Sequence, residues 1–192
     1  DISGLCREFY NDTYLNDQNA CSSPHIIFWI GSEDEINKAA ERFWQAFKEV
    51  LNEKQYEVQA ETAVRKLSSA YAAAACLDGI IIKNEDNSVL RVKAKACPSL
   101  CEYTEPGGFF FEICCESFEE MLPVLGRTCQ TVSTFGIDNG KLAEFIAEKG
   151  VKGVDRIVPV GHTLDFELIW DGFDMIEHMS RRVFIDTLAK TF

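Results

Sequence analysis

The segment Ile26-Ile27-Phe28-Trp29-Ile30-Gly31-Ser32-Glu33-Asp34-Glu35 decides the fold. Five consecutive apolar residues, rich in β-branched and aromatic side chains, predict a strongly apolar strand. Ser32, with Glu35 three residues on, is a capping box that starts a helix directly behind that strand. The helix carries Ile36, Ala39, Ala40, Phe43, Trp44, Phe47, Val50 and Leu51, an i, i+3, i+4, i+7 stripe that needs a core to lie on. A strand feeding an amphipathic helix is the building unit of a layered α/β fold.

The same alternation runs through the rest of the chain. Residues 1–13 read as a helix with Ile2, Leu5, Cys6 and Phe9 on one face. A second, Ala-rich helix spans about 60–77, with Val64, Leu67, Tyr71, Ala74 and Ala75 expected inward. Strands are expected at 79–82 and at 89–95, the latter half-exposed because Val and Leu alternate with Arg91, Lys93 and Lys95. The turn Glu105-Pro106-Gly107-Gly108 leads into a buried strand at 109–115. Ser117 and Glu120 repeat the capping-box pattern for a short helix to about Leu125. A strand at 128–135, a helix capped by Asp138 and stopped by Gly150, and a strand at 156–160 follow. A final amphipathic helix is expected over 174–188. The expected fold class is α/β, a three-layer α/β/α arrangement with a mostly parallel sheet, read as one domain over residues 1–192.

Composition narrows the function classes. The 192 residues are 46% hydrophobic and 26% charged, enough for a sizeable core in a soluble fold. A net charge of −12 argues against a nucleic-acid partner, because phosphate binding needs a basic face. No apolar run reaches the roughly 20 residues of a membrane span, and the start at Asp1 has no signal-peptide pattern. That start is read as a cut from a longer polypeptide. Of the eight cysteines, Cys76, Cys114 and Cys115 lie in apolar segments and are expected to act as small hydrophobes. Cys97 and Cys101 have no second pair at zinc spacing, so no metal site is expected. Free thiols and a reducing, cytoplasmic compartment follow from that placement. Gly107-Gly108 and Gly150/Gly153 match neither a dinucleotide fingerprint nor a P-loop.

One cysteine differs from the rest. Cys21 lies in Asn16-Asp17-Gln18-Asn19-Ala20-Cys21-Ser22-Ser23-Pro24, a small and polar loop just before the apolar strand. Such a loop presents a thiol at the end of a sheet with free backbone amides beside it, the setting for a nucleophile and its oxyanion. A small residue packed in a core is the alternative. Among the histidines, His25 either orients the Cys21 loop or tips the strand, His162 sits on a strand-end loop, and His178 lies on the last helix. None forms an assignable Cys/His pair by spacing. Trp170-Asp171-Gly172 reads either as the mouth of a ligand site or as a packed corner, and Asp174 as the cap of the next helix.

Gln18-Asn19-Ala20-Cys21-Ser22-Ser23 before an apolar strand resembles the Gln-x-x-Cys catalytic segment of the aldehyde dehydrogenase superfamily. Arg156-Ile157-Val158-Pro159-Val160-Gly161, Phe166, Trp170-Asp171-Gly172-Phe173-Asp174 and Ser180-Arg181-Arg182 resemble, more narrowly, the bacterial long-chain fatty-acyl-CoA reductases of bioluminescence. So does Thr128-Cys129-Gln130-Thr131-Val132 before Gly136, and the likeness runs the length of the chain. The resemblance implies an aldehyde-dehydrogenase-like catalytic domain, with a nucleotide-binding domain upstream. It implies that Cys21 attacks a fatty-acyl thioester, as acyl-CoA or acyl-protein, and that NADP(H) then reduces the acyl-cysteine to an aldehyde. The superfamily's acid that holds the nicotinamide ribose falls at Thr104, with Glu105 one position later, so Glu105 is the residue offered for that contact. The same resemblance implies a homo-oligomer or a complex with an acyl-transfer enzyme, and an isolated domain without turnover. Two rival readings stand beside it: an acylating dehydrogenase for short aldehydes, and a non-catalytic oligomerisation or docking domain.

Overall fold

The computed structural model describes residues 1–84 and 86–185. Its main sheet holds β1 (Ile26–Ile30), β2 (Ile81–Asn84), β3 (Leu90–Lys93) and β4 (Phe109–Cys115) in the spatial order β1-β4-β3-β2. β1 and β3 flank β4 in parallel, and β2 closes the sheet antiparallel to β3. A second, parallel pair is made by β5 (Thr131–Thr134) and β6 (Arg156–Pro159), and a short hairpin by β7 (Ile169–Trp170) and β8 (Phe173–Asp174).

Helices cover both faces of the main sheet, giving the three layers that the alternation predicts. On one face lie α1 (Ile2–Thr13) and α2 (Glu33–Glu53). They meet the sheet through an aromatic cluster in which Phe9 touches Phe43, Trp44, Phe47 and Phe110 at ring separations of 5.2–6.2 Å. Edge-to-face pairs of this kind add to the burial energy of the rings themselves. On the other face α3 (Ala60–Cys76) lays Ala70 and Ala73 against Val92, Phe109 and Phe111. β4 is central because Phe109-Phe110-Phe111 alternate between these two apolar layers, each ring fully buried. Connecting β5 to β6, α4 (Asn139–Lys149) is capped by Asp138, whose carboxylate accepts from the Gly140 and Lys141 amides, and ends at Gly150 in the left-handed region.

The core is not purely apolar, and this is where the sequence reading needs correction. Arg91 is buried, not solvent-facing, so β3 is not the half-exposed strand that its alternation predicts. Its Nε donates to Glu112 Oε2 at 2.8 Å, and its guanidinium sits 5.2 Å from the Trp44 ring. Glu112 in turn accepts from Trp44 Nε1 at 2.7 Å and from Trp29 Nε1 at 3.0 Å. A buried carboxylate is tolerated only when its lone pairs are met in this way.

The inward face of α3 is also shifted. Val64 and Tyr71 are exposed, and the buried row is Ala63, Lys66, Ala70 and Ala73. Lys66 passes its alkyl stem through the core and donates to Asn87 O at 2.8 Å and Gly107 O at 2.5 Å. Counting only apolar residues hides a face whose centre is a lysine. Burial pushes the Lys66 ammonium down to about 8. Of the cysteines expected to be packed, Cys115 is buried, whereas Cys114 points to the opposite side of β4 and Cys76 ends α3, both exposed.

Shorter elements replace three predicted ones. The strand expected over 128–135 is confined to Thr131–Thr134, and the helix after Ser117 is one 3-10 turn, Phe118–Met121. The final helix, α5 (Met175–Met179), is a single turn; residues 180–185 are irregular and 186–188 lie outside the described residues. Asp174 does cap it, accepting from the Ile176 and Glu177 amides. Among the described residues its apolar side chains Ile176 and Met179 meet no core, and an isolated turn without tertiary packing does not propagate. Among the described residues no helix is long and apolar enough to cross a membrane.

Glu112→Ala leaves the buried Arg91 guanidinium and two indole N–H groups without their carboxylate. The expected loss is about 3–5 kcal/mol of unfolding free energy, read as a lower urea midpoint.

Candidate active site

Cys21 occupies the tip of a tight turn in which the Ser23 amide donates to Ala20 O at 3.0 Å. The thiol is exposed and in no disulfide. Among the described residues the backbone amides of Cys21 and Ser22 have no acceptor. The turn therefore offers a free sulfur and two unspent donors side by side.

What holds the turn is the residue three positions earlier. Asp17 and Gln18 both adopt positive φ, 49° and 55°, which swings the Gln18 side chain under the loop. Gln18 is 2% exposed. Its carboxamide nitrogen donates to Pro24 O at 2.8 Å and Phe109 O at 3.2 Å. Its carbonyl accepts from the Gly108 amide at 2.5 Å and the Phe109 amide at 3.1 Å. One side chain thus ties both ends of the Cys21 loop to the start of the central strand. Gly108 allows the approach: at φ +90° any Cβ would collide with Ser88 O and the Tyr14 hydroxyl. A second strap runs from the Gly107 amide to Asp17 O at 3.0 Å, and Tyr56 donates to Asp17 Oδ1 at 2.9 Å.

Beside the turn opens a cavity of about 550 Å³ whose wall includes Cys21, Ser22, Ser23, His25, Thr104 and Cys129. His25 is half-buried, and desolvation lowers its pKa against the opposing pull of the Gln18 and Glu105 backbones. The Cys129 thiol, deeper in the wall, is pushed up to about 11 by burial, and the same effect raises Cys6 and Cys115 to about 11. These three are poor nucleophiles at neutral pH. Cys21 has none of their burial.

Residues 1–182 match the family model described as acyl-CoA reductase (LuxC). The chain belongs to this family. No curated protein matches the chain. In a family of acyl-CoA reductases, an exposed thiol with adjacent unspent amides is a group able to take an acyl unit from a thioester.

The other residues singled out from the sequence are distributed around the Cys21 turn and its cavity. Thr104 is on the cavity wall, while Glu105 is turned to Arg65, Oε2 to Nη2 at 2.6 Å. His162 is outside the cavity, on an exposed loop where its Nδ1 meets Asp165 Oδ2 at 2.6 Å, a contact that raises its pKa. His178 is exposed against the Phe173 ring. Trp170 lies over the Arg156 guanidinium at 4.4 Å, and Asp171-Gly172, both at positive φ, make the two-residue turn of the β7–β8 hairpin. Asp171 accepts from Gln130 Nε2, and Gln130 belongs to the wall of the Cys21 cavity, so the hairpin turn borders that cavity while Ile169 and Phe173 stay exposed. Among the described residues no three His, Cys, Asp or Glu side chains gather as metal ligands.

Two supporting residues act through buried polar contacts. Asp12 is buried and accepts from the Gly161 amide at 2.7 Å and the Thr163 amide at 3.0 Å, fixing α1 to the loop after β6. Arg156 spends its guanidinium on Thr163 O and Asp165 O at 3.0 and 2.9 Å. Gln18 did carry a signal, since Gln and Cys at this spacing are the two ends of one device.

Gln18→Ala removes four hydrogen bonds and strands two buried strand amides. A loss of about 2–4 kcal/mol is expected in urea unfolding, with proteolytic nicking appearing first in residues 16–24.

Proposed function

We propose that this chain is the cysteine-bearing domain of an NADP(H)-dependent acyl-CoA reductase that makes a fatty aldehyde through an acyl-cysteine at Cys21. The observation that carries this reading is the exposed Cys21 thiol at a turn clamped by Gln18, with the Cys21 and Ser22 amides unspent. As thiolate, Cys21 Sγ adds to the thioester carbonyl carbon, and the two amides face the oxygen on which negative charge develops. Collapse of that adduct breaks the bond to the coenzyme A sulfur, which leaves as thiolate. The acyl group then stays on Sγ.

NADP(H), when bound, supplies the reducing equivalent that converts the acyl-cysteine to a thiohemiacetal. This chain offers Glu105 for its ribose, provided the carboxylate leaves Arg65, and its glycines make no phosphate cradle, so the phosphates fall to a domain upstream. Breakdown of the thiohemiacetal releases aldehyde and restores the Cys21 thiol.

Full-length enzyme incubated with radiolabelled acyl-CoA should carry label on the Cys21 peptide and nowhere else. Cys21→Ala should take up none, and residues 1–192 alone should show no NADPH-dependent aldehyde formation. Label on another cysteine, or label unchanged in Cys21→Ala, defeats the proposal.

A second role has its own observation. Phe166, Ile169, Phe173, Ile176, Met179 and Phe184 are each more than half exposed along the C-terminal segment. Single exposed apolar residues are ordinary, but a run of this size favours association with a second copy or with an acyl-transfer enzyme. Light scattering on residues 1–192 should give a mass above that of one chain, and Phe173→Asp with Met179→Asp should return it to the monomer.

A further inference from the structure

The cavity beside Cys21 continues as a slot between two sheet edges. Among the described residues β1 is the outermost strand of the main sheet and β5 has β6 on one side alone, and every residue of both strands lines the slot. The ladder ends show which backbone groups face it. Phe111 donates to His25 O and Gly31 donates to Cys115 O, both at 3.0 Å, so His25, Ile27, Trp29 and Gly31 spend their groups on β4. In a parallel ladder the alternate residues point the other way. The N–H and C=O groups of Ile26, Phe28 and Ile30 therefore face the slot.

β5 mirrors this. Arg156 donates to Gln130 O at 3.3 Å and Val160 to Thr134 O at 3.1 Å, so the even-numbered residues serve β6 and Thr131 and Ser133 face the slot. Polar atoms in the wall are left over as well. Ser23 is 7% exposed with no partner for its hydroxyl, and Thr131 Oγ1 is likewise buried without one. Two rows of unspent backbone groups, apolar side chains above and below, and orphan hydroxyls call for an occupant with its own regular donors and acceptors. A flexible acyl chain has none.

We infer that the slot is the seat of an extended strand of the same polypeptide, lying upstream of α1 and parallel to β1, which joins the two sheets into one. The direction follows from the helices. α2 leaves the C-terminal end of β1 and so runs back against it. α1 runs alongside α2 in the same sense, Cys6 meeting Phe43 and Tyr14 meeting Tyr56. The start of α1 thus lies toward the C-terminal end of β1, where a strand parallel to β1 would deliver the chain. Leu5 and Phe9 of α1 line the slot from above. Strand, α1, Cys21 loop and β1 then form one βαβ unit, the usual way to connect neighbouring parallel strands.

Residue-resolved amide exchange on the polypeptide extended upstream of Asp1 tests this. The slot-facing amides of Ile26, Phe28 and Ile30 should exchange within about tenfold of Ile27 and Trp29, which β4 holds. In residues 1–192 alone the same three should exchange at least about 100-fold faster than those neighbours. Slot-facing amides that stay fast in the extended polypeptide overturn the inference. Protection that fades on dilution gives the strand to a second copy and overturns it too. Cys21 acylation is not read in this measurement, so the two proposals fail separately.

Discussion

Everything at the candidate site depends on one buried carboxamide. Gln18 has two donors and two acceptor lone pairs, and the structure uses all of them on backbone groups at Pro24, Gly108 and Phe109. Neutral amide bonds are individually modest, but here they act together on a segment of some six residues that has almost no apolar anchor of its own. Without them the Cys21 turn is a surface loop free to move. With them its sulfur and amides hold a fixed direction relative to β4.

The same economy of polar groups recurs in the core. Glu112 gathers Arg91, Trp29 and Trp44, and Lys66 ties α3 to Asn87 and Gly107. Each is a charged residue made acceptable by its hydrogen bonds, and each sits next to the start or middle of β4. They fix where the central strand begins, which in turn fixes Gln18. The thiol's position is thus set by a chain of polar contacts running through an otherwise aromatic interior.

The sequence was most readable where periodicity is strong. The β1 run, its capping box and the α2 stripe come directly from residue order, and so does the alternation that gives three layers. The alternation assigns Arg91 to solvent, and a count of apolar residues passes over Lys66, because a charged side chain looks solvent-facing until its partner, distant in sequence, is known. The last helix failed for the opposite reason: its pattern is sound, but pattern alone does not hold a helix that has no surface to lie on. At the site, Cys21 stood out by its polar setting, whereas Asp12, Arg156 and the slot between β1 and β5 are products of tertiary arrangement that no local window contains.

The Gln18 clamp also has a temporal side. Its partners Gly108 and Phe109 are 90 and 91 residues further along the chain. Until β4 has been made, the Cys21 loop lacks the Gly108 and Phe109 groups, and Pro24 O alone of the Gln18 partners is at hand. Contacts of such long range form late in folding. A chain that stops short of β4 therefore carries Cys21 without the fixed setting that the Gln18 clamp gives it.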